Sequence, residues 1–138
     1  MTAILHHAGP HHDAYWLVKA AGELDIATLP LLEHDLHAAL VRPAVPRLII
    51  DLRPVTFLDC AGLGLLCRVR GRVRRREGWL RLVYAAPVTV RLFGYAGLTD
   101  AFPAHASVDD ALQGIPSAAR PVRPFRPPDP RRGPPRGC

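Results

Sequence analysis

The chain has 138 residues, nearly half of them hydrophobic, which is enough for one domain with a real core and too few for two ordinary ones. Its apolar runs fall far short of the roughly 18 residues needed to cross a bilayer. Residues 1–7 offer neither the basic start nor the long apolar stretch of a secretion signal, so the cytoplasm is the expected address. Of the formal charge of +6, residues 114–138 supply +5 through six Arg and one Asp. A near-neutral folded part, 1–113, is therefore expected to be followed by a basic tail.

Residues 3–7 form a possible edge strand, and Gly9-Pro10-His11-His12-Asp13 a turn. Residues 15–21 are rich in strand formers and are expected to pair antiparallel with the first run, ending at Gly22-Glu23-Leu24-Asp25. Thr28 is placed to cap a helix with Pro30 in its first turn, and Leu29, Leu32, Leu36, Ala39 and Leu40 share one face of it. Pro43 and Pro46 stop that helix before an apolar run, 48–52, which reads as a buried strand.

The stretch Phe57-Leu58-Asp59-Cys60-Ala61-Gly62-Leu63-Gly64 then turns that strand into a helix expected over 61–77. Small residues at such a junction let another molecule approach the backbone, where the first free N–H groups of the helix point outward. At about 100° per residue, Gly62, Leu65, Leu66, Val69 and Val73 share a core arc. Leu63 and Cys67 land beside Arg70 and Arg74, an apolar spot expected to face away from the core. Gly78 is expected to close the helix.

Residues 79–84 form the next strand, parallel to 48–52 by a right-handed crossover. Pro87 opens a helix over 88–96 closed by Gly97. Ser107 through Asp110 has capping-box spacing for a last short helix ending near Gly114. Residues 114–138 hold eight prolines and scattered Arg, and are expected to be disordered.

Taken together, Gly22-Glu23-Leu24-Asp25, the strand at 48–52, Asp59-Cys60-Ala61-Gly62-Leu63-Gly64, residues 91–98 and the final Val108-Asp109-Asp110-Ala111-Leu112 resemble a STAS domain of the anti-sigma factor antagonist type. The resemblance covers residues 10–113. It implies an α/β fold in a single domain, a small mixed sheet of four to five strands with about four helices. It also implies partner switching, in which the antagonist binds a serine-kinase-type anti-sigma factor and frees the sigma factor. The kinase ends that binding by phosphorylating the second Ser of an Asp-Ser-Ser-Gly-Leu-Gly motif. In this chain Asp59, Gly62, Leu63 and Gly64 match the motif, Cys60 replaces the first Ser, and Ala61 occupies the phosphoacceptor position. Asp25 matches an acidic residue near that site. The expected partner-binding set is Asp25, Asp59, Cys60, Ala61, Gly62, Leu63, Gly64 and Cys67.

Other readings are weaker. The three cysteines, Cys60, Cys67 and Cys138, form no C-x-x-C pair, which argues against a disulfide framework or zinc knuckle. Cys60 is read as a small substitute for Ser rather than as a thiol sensor. His6, His7, His11 and His12 are read as solvated ends rather than as a zinc site. The Arg run at 68–76 is read as a solvated helix face, with no nucleic acid bound by the folded domain. No nucleophile–base pair, phosphate loop or metal-ligand set appears, so neither an enzyme nor a cofactor is expected. A weak homodimer is considered as a further association. The second function considered is a non-phosphorylated STAS subunit of a larger assembly, for lipid transport or as a stress scaffold.

Overall fold

A computed structural model describes residues 2–8 as backbone, and 14–41 and 43–117 with their side chains. The turn at 9–13 with His11 and His12, the side chains of His6 and His7, and the segment 118–138 lie outside the described residues.

Strands β1 (Thr2–Ala8) and β2 (Tyr15–Leu24) pair antiparallel, from Thr2 opposite Ala21 to Ala8 opposite Tyr15. β2 runs past Gly22, where the sequence reading ends it. Gly22 adopts a φ of 83°, a register shift falls between Gly22 and Glu23, and the strand resumes to Leu24. Its first half pairs parallel with β3 (Arg47–Asp51), which pairs parallel with β5 (Trp79–Val83). β5 in turn pairs parallel with the two-residue β6 (Ala104–His105), giving the order β1-β2-β3-β5-β6. A sixth strand, β4 (Val55–Leu58), pairs parallel with the second half of β2. Sequence reading places Phe57 and Leu58 in the turn between 48–52 and the next helix and assigns no strand here, although Val, Thr and Phe all favour strands.

Four helices, α1 (Leu29–Val41), α2 (Cys60–Arg75), α3 (Pro87–Tyr95) and α4 (Val108–Gln113), cover the sheet. Alternation along the strands sorts the core into two. Val18, Ala20, Leu48, Ile50 and Leu82 pack with the buried stripes of α1 and α2 and with Phe93 of α3. Ile49 and Val83, on the other face, pack with Ala111 of α4. Tyr84 stacks on Phe93 at 4.6 Å between ring centroids, and Phe102 meets Phe93 edge-on at 5.8 Å. The Tyr84 hydroxyl donates to the Phe102 carbonyl at 2.6 Å, and burial pushes its pKa up to about 12.

Two helix ends differ from expectation. At α1, Thr28 Oγ1 accepts from the Asp25 N–H and donates to the Glu23 carbonyl, so it ties the approach to the helix rather than capping its first turn. At the end of α2, the N–H groups of Glu77 and Gly78 reach back to the Arg74 and Val73 carbonyls. In this Schellman arrangement the left-handed position is held by Glu77, at a φ of 59°, and not by glycine. Gly78 serves another need: a Cβ there would lie 1.9 Å from the Pro46 carbonyl oxygen.

Two polar ties complete the frame. Asp51, 2% exposed, accepts from the Arg53 N–H, Nε and Nη2 at 3.0, 3.0 and 2.8 Å. Burial raises its pKa, but the Arg53 hydrogen bonds and charge, with a contribution from Lys19, outweigh this and hold the carboxyl below its ordinary 3.8. After α4 the chain returns to the sheet edge. The Ser117 N–H donates to the Ala104 carbonyl, and buried His105 bonds the Ile115 carbonyl through Nδ1 at 2.7 Å. Ordered contacts therefore continue past residue 113.

Gly78→Ala is expected to cost about 1–3 kcal/mol by forcing β3's approach apart, measured by denaturant unfolding. Glu77→Gly is expected instead to stabilise, by about 1 kcal/mol, through relief of the left-handed backbone. For Asp51, a carboxyl held lower in the folded than in the unfolded chain contributes stability that is present above the ordinary pKa. That stability is lost as pH falls through the folded value. Arg53→Met leaves burial to dominate, so the acid-unfolding midpoint should move to higher pH. An unchanged midpoint would show that the pair does not set the acid limb.

Candidate functional site

Because β2, β4, β3 and β5 run parallel, the segments that follow them emerge at one end of the sheet. Leu24 and Leu58 are paired residues, so the next residue of the first strand, Asp25, and of the second, Asp59, are brought side by side in the chain paths. Each carboxylate organises its own turn. Asp25 Oδ1 accepts from the Ala27 and Thr28 N–H groups, both at 3.0 Å. Asp59 caps α2, with Oδ1 accepting from Gly62 N–H at 3.0 Å, while its own N–H donates to the Leu24 carbonyl at 3.4 Å. The start of α2 is thus bolted to the end of β2.

Gly62 makes the close approach possible. A Cβ there would fall 2.3 Å from Leu58 Cδ1 and 3.4 Å from the Leu24 carbonyl oxygen, so its role is inward packing. Ala61 is half-buried against the core. Cys60 and Cys67 are exposed, and seven residues of helix bring them within about 20° of each other around the axis. Gly64 shares that face, and a Cβ on it would meet only Arg68 Nη1, at 3.6 Å. The small outward surface therefore consists of Cys60, Gly64 and Cys67.

Leu63 does not belong to it. It is 6% exposed and part of the main core, contrary to the outward placement expected from helical phase. Leu63 lies within about 20° of Arg70 along the helix, and the Arg70 guanidinium sits 5.9 Å from the centre of the Phe102 ring. Phe102, in the connection from α3 to β6, meets this flank at Arg70, a long-range contact that periodicity within α2 alone cannot register.

The structure adds residues that sequence reasoning missed. Ile26, 78% exposed, follows Asp25, and Phe57, 51% exposed, lies two residues before Asp59. Val88, in the first turn of α3, is exposed at the same end of the sheet. The available signal was an isoleucine inside a turn otherwise built of Asp, Ala and Thr, where no core position was open to it. Such an apolar rim around ordered carboxylates suits the docking of a protein surface. Among the described residues, no group of His, Cys, Asp and Glu is arranged to hold a metal ion, and no helix is long and apolar enough to cross a membrane.

Comparison with known proteins identifies the family. Residues 9–111 match the STAS domain. The chain is 32% identical over 107 residues to the anti-sigma-F factor antagonist RsfA of Mycobacterium tuberculosis, covering 74% of this chain and 80% of that protein. It is 30% identical over 96 residues to an anti-sigma-B factor antagonist of Bacillus subtilis, covering 70% and 86%. The crystal structure of an anti-sigma factor antagonist from Mycobacterium paratuberculosis superposes with a TM-score of 0.68 at 29% identity, over 83% of this chain and 94% of that one. The order of the strands, the capped turn at Asp59 and the match over residues 9–111 place this chain in the STAS domain family.

Proposed function

We propose that the protein is an anti-sigma factor antagonist that binds a kinase-type anti-sigma factor through the end of the sheet where Asp25, Ile26 and the start of α2 meet, and that it is not switched off by phosphorylation. The observation that carries the reading is the turn itself. Asp59, Gly62, Leu63 and Gly64 keep the motif that the family resemblance implies for a phosphorylated antagonist, and Ala61 stands where that motif would carry the acceptor Ser.

A phosphoryl group at this position would add a charge of about −1.5 to −2 beside the carboxylates of Asp25 and Asp59 and eject a docked surface. Alanine has no hydroxyl to accept it. Cys60 stands one residue too early for a kinase that aligns an alcohol oxygen, Thr56 lies in β4 before the turn, and the serines, Ser107 and Ser117, lie at the start of α4 and beyond it. On this reading the protein is a constitutive antagonist or a decoy, and its binding does not respond to ATP hydrolysis.

Incubated with a partner kinase and ATP, the wild-type protein should gain no phosphate within residues 54–68. Ala61→Ser should gain one and then release the partner. Intact-mass and peptide mass spectrometry read both outcomes, and a phosphorylated wild-type peptide from that region would sink the reading. The docking surface has its own test. Ile26→Asp should leave unfolding unchanged yet weaken binding about tenfold or more, near 1.4 kcal/mol. Leu63→Arg should instead unfold the protein much as Val69→Arg does, since both place an unpaired charge in the core.

A further inference from the structure

The far end of α2 holds a feature that docking at the turn does not use. Between the last turns of α1 and α2 lies a cavity of about 350 Å³, lined by His37, Leu40, Val41, Arg72, Arg75 and Arg76. Among the described residues, no carboxylate lines it. Buried Leu40 and exposed Val41 provide its apolar part. The three guanidinium groups are not equivalent. Arg76 donates to the Leu40 and Pro43 carbonyls, closing the end of α1. Arg75 spends only its Nε, on the Gly71 carbonyl at 3.3 Å, and Arg72 has no acceptor among the described residues. Arg72 and Arg75 stand three residues apart, adjacent on the helix surface.

We propose that this cavity binds an organic phosphate, with the phosphoryl oxygens on Arg72 and Arg75, a further donor from His37, and the apolar body against Leu40 and Val41. Guanidinium forks match phosphoryl oxygens in pairs, and a dianion answers two adjacent cations better than a single carboxylate does. The volume lies within the roughly 300–1,000 Å³ of small-molecule sites. Twelve residues of helix separate Arg72 from Cys60, about 18 Å, so the cavity and the docking surface can be occupied together. The same chemistry is offered by a free phosphate ester and by a phosphomonoester lipid headgroup.

The test is a titration of the full chain with phenyl phosphate, followed by backbone amide NMR, beside inorganic phosphate and phenol as the two halves of the probe. The amides of Val41 and of residues 72–76 should shift, at concentrations about tenfold below those inorganic phosphate or phenol requires. Arg72→Gln and Arg75→Gln should each lose about tenfold in affinity, whereas Arg74→Gln, turned away from the cavity, should lose nothing. Sedimentation with phosphatidylcholine vesicles containing phosphatidic acid, dependent on Arg72 and Arg75, would support the site and identify a lipid headgroup as the source. Phenyl phosphate binding without sedimentation would support it with a free ester. The proposal is overturned if neither probe binds, if phenyl phosphate binds no better than its halves, or if Arg74→Gln weakens binding as much as Arg72→Gln.

Discussion

The site depends on one joint, where Asp59 ties the first turn of α2 to the last residues of β2. Its side chain holds the Gly62 N–H, its main-chain N–H reaches the Leu24 carbonyl, and Gly62 lets the helix settle against Leu24 and Leu58. If the helix stood off from the strand ends, Asp25 and Asp59 would separate, and Ile26 would no longer share a surface with Cys60. The short strand β4 serves the same end. By pairing with β2 beyond its bulge, it delivers Asp59 to the level of Asp25.

Around its circumference α2 divides its duties. Gly62, Leu65, Leu66, Val69 and Val73 face the sheet and α1, while Leu63 is buried on the flank where Arg70 meets Phe102. The outward face starts small, with Cys60, Gly64 and Cys67, and becomes strongly cationic over its last turns. Those arginines oppose the partial negative charge of the helix C-terminus, which favours a cluster of like charges there. The helix therefore offers a small, uncharged surface at one end and positive charge at the other.

Much of this was legible in the sequence because it is local. The strand formers of β2, the apolar run of β3, the stripes of α1 and α2, the Ser107 cap and the left-handed Gly97 and Gly114 are all written in nearby residues. The failures share a different cause. Leu63 is buried on a flank of α2 where Arg70 meets Phe102 of a later segment, Gly78 is required by the carbonyl of Pro46, and β4 is a strand because β2 continues past Gly22 to receive it. Ile26 was overlooked for the opposite reason: an apolar residue counts as exposed only once every core position has been filled by others.

The return of the chain along β6 bears on how the molecule behaves among its own copies. A two-residue strand at the border of a parallel sheet leaves carbonyl and amide groups pointing outward, a template on which another chain could add. Here the outward Ala104 carbonyl is taken by Ser117, and His105 pins Ile115 so that this cover stays in place. The sheet is thereby terminated from within on that side, and growth by strand addition there would first have to peel away the protein's own backbone. Crowding at high concentration should consequently act through side-chain surfaces on that border, not through extension of the ladder.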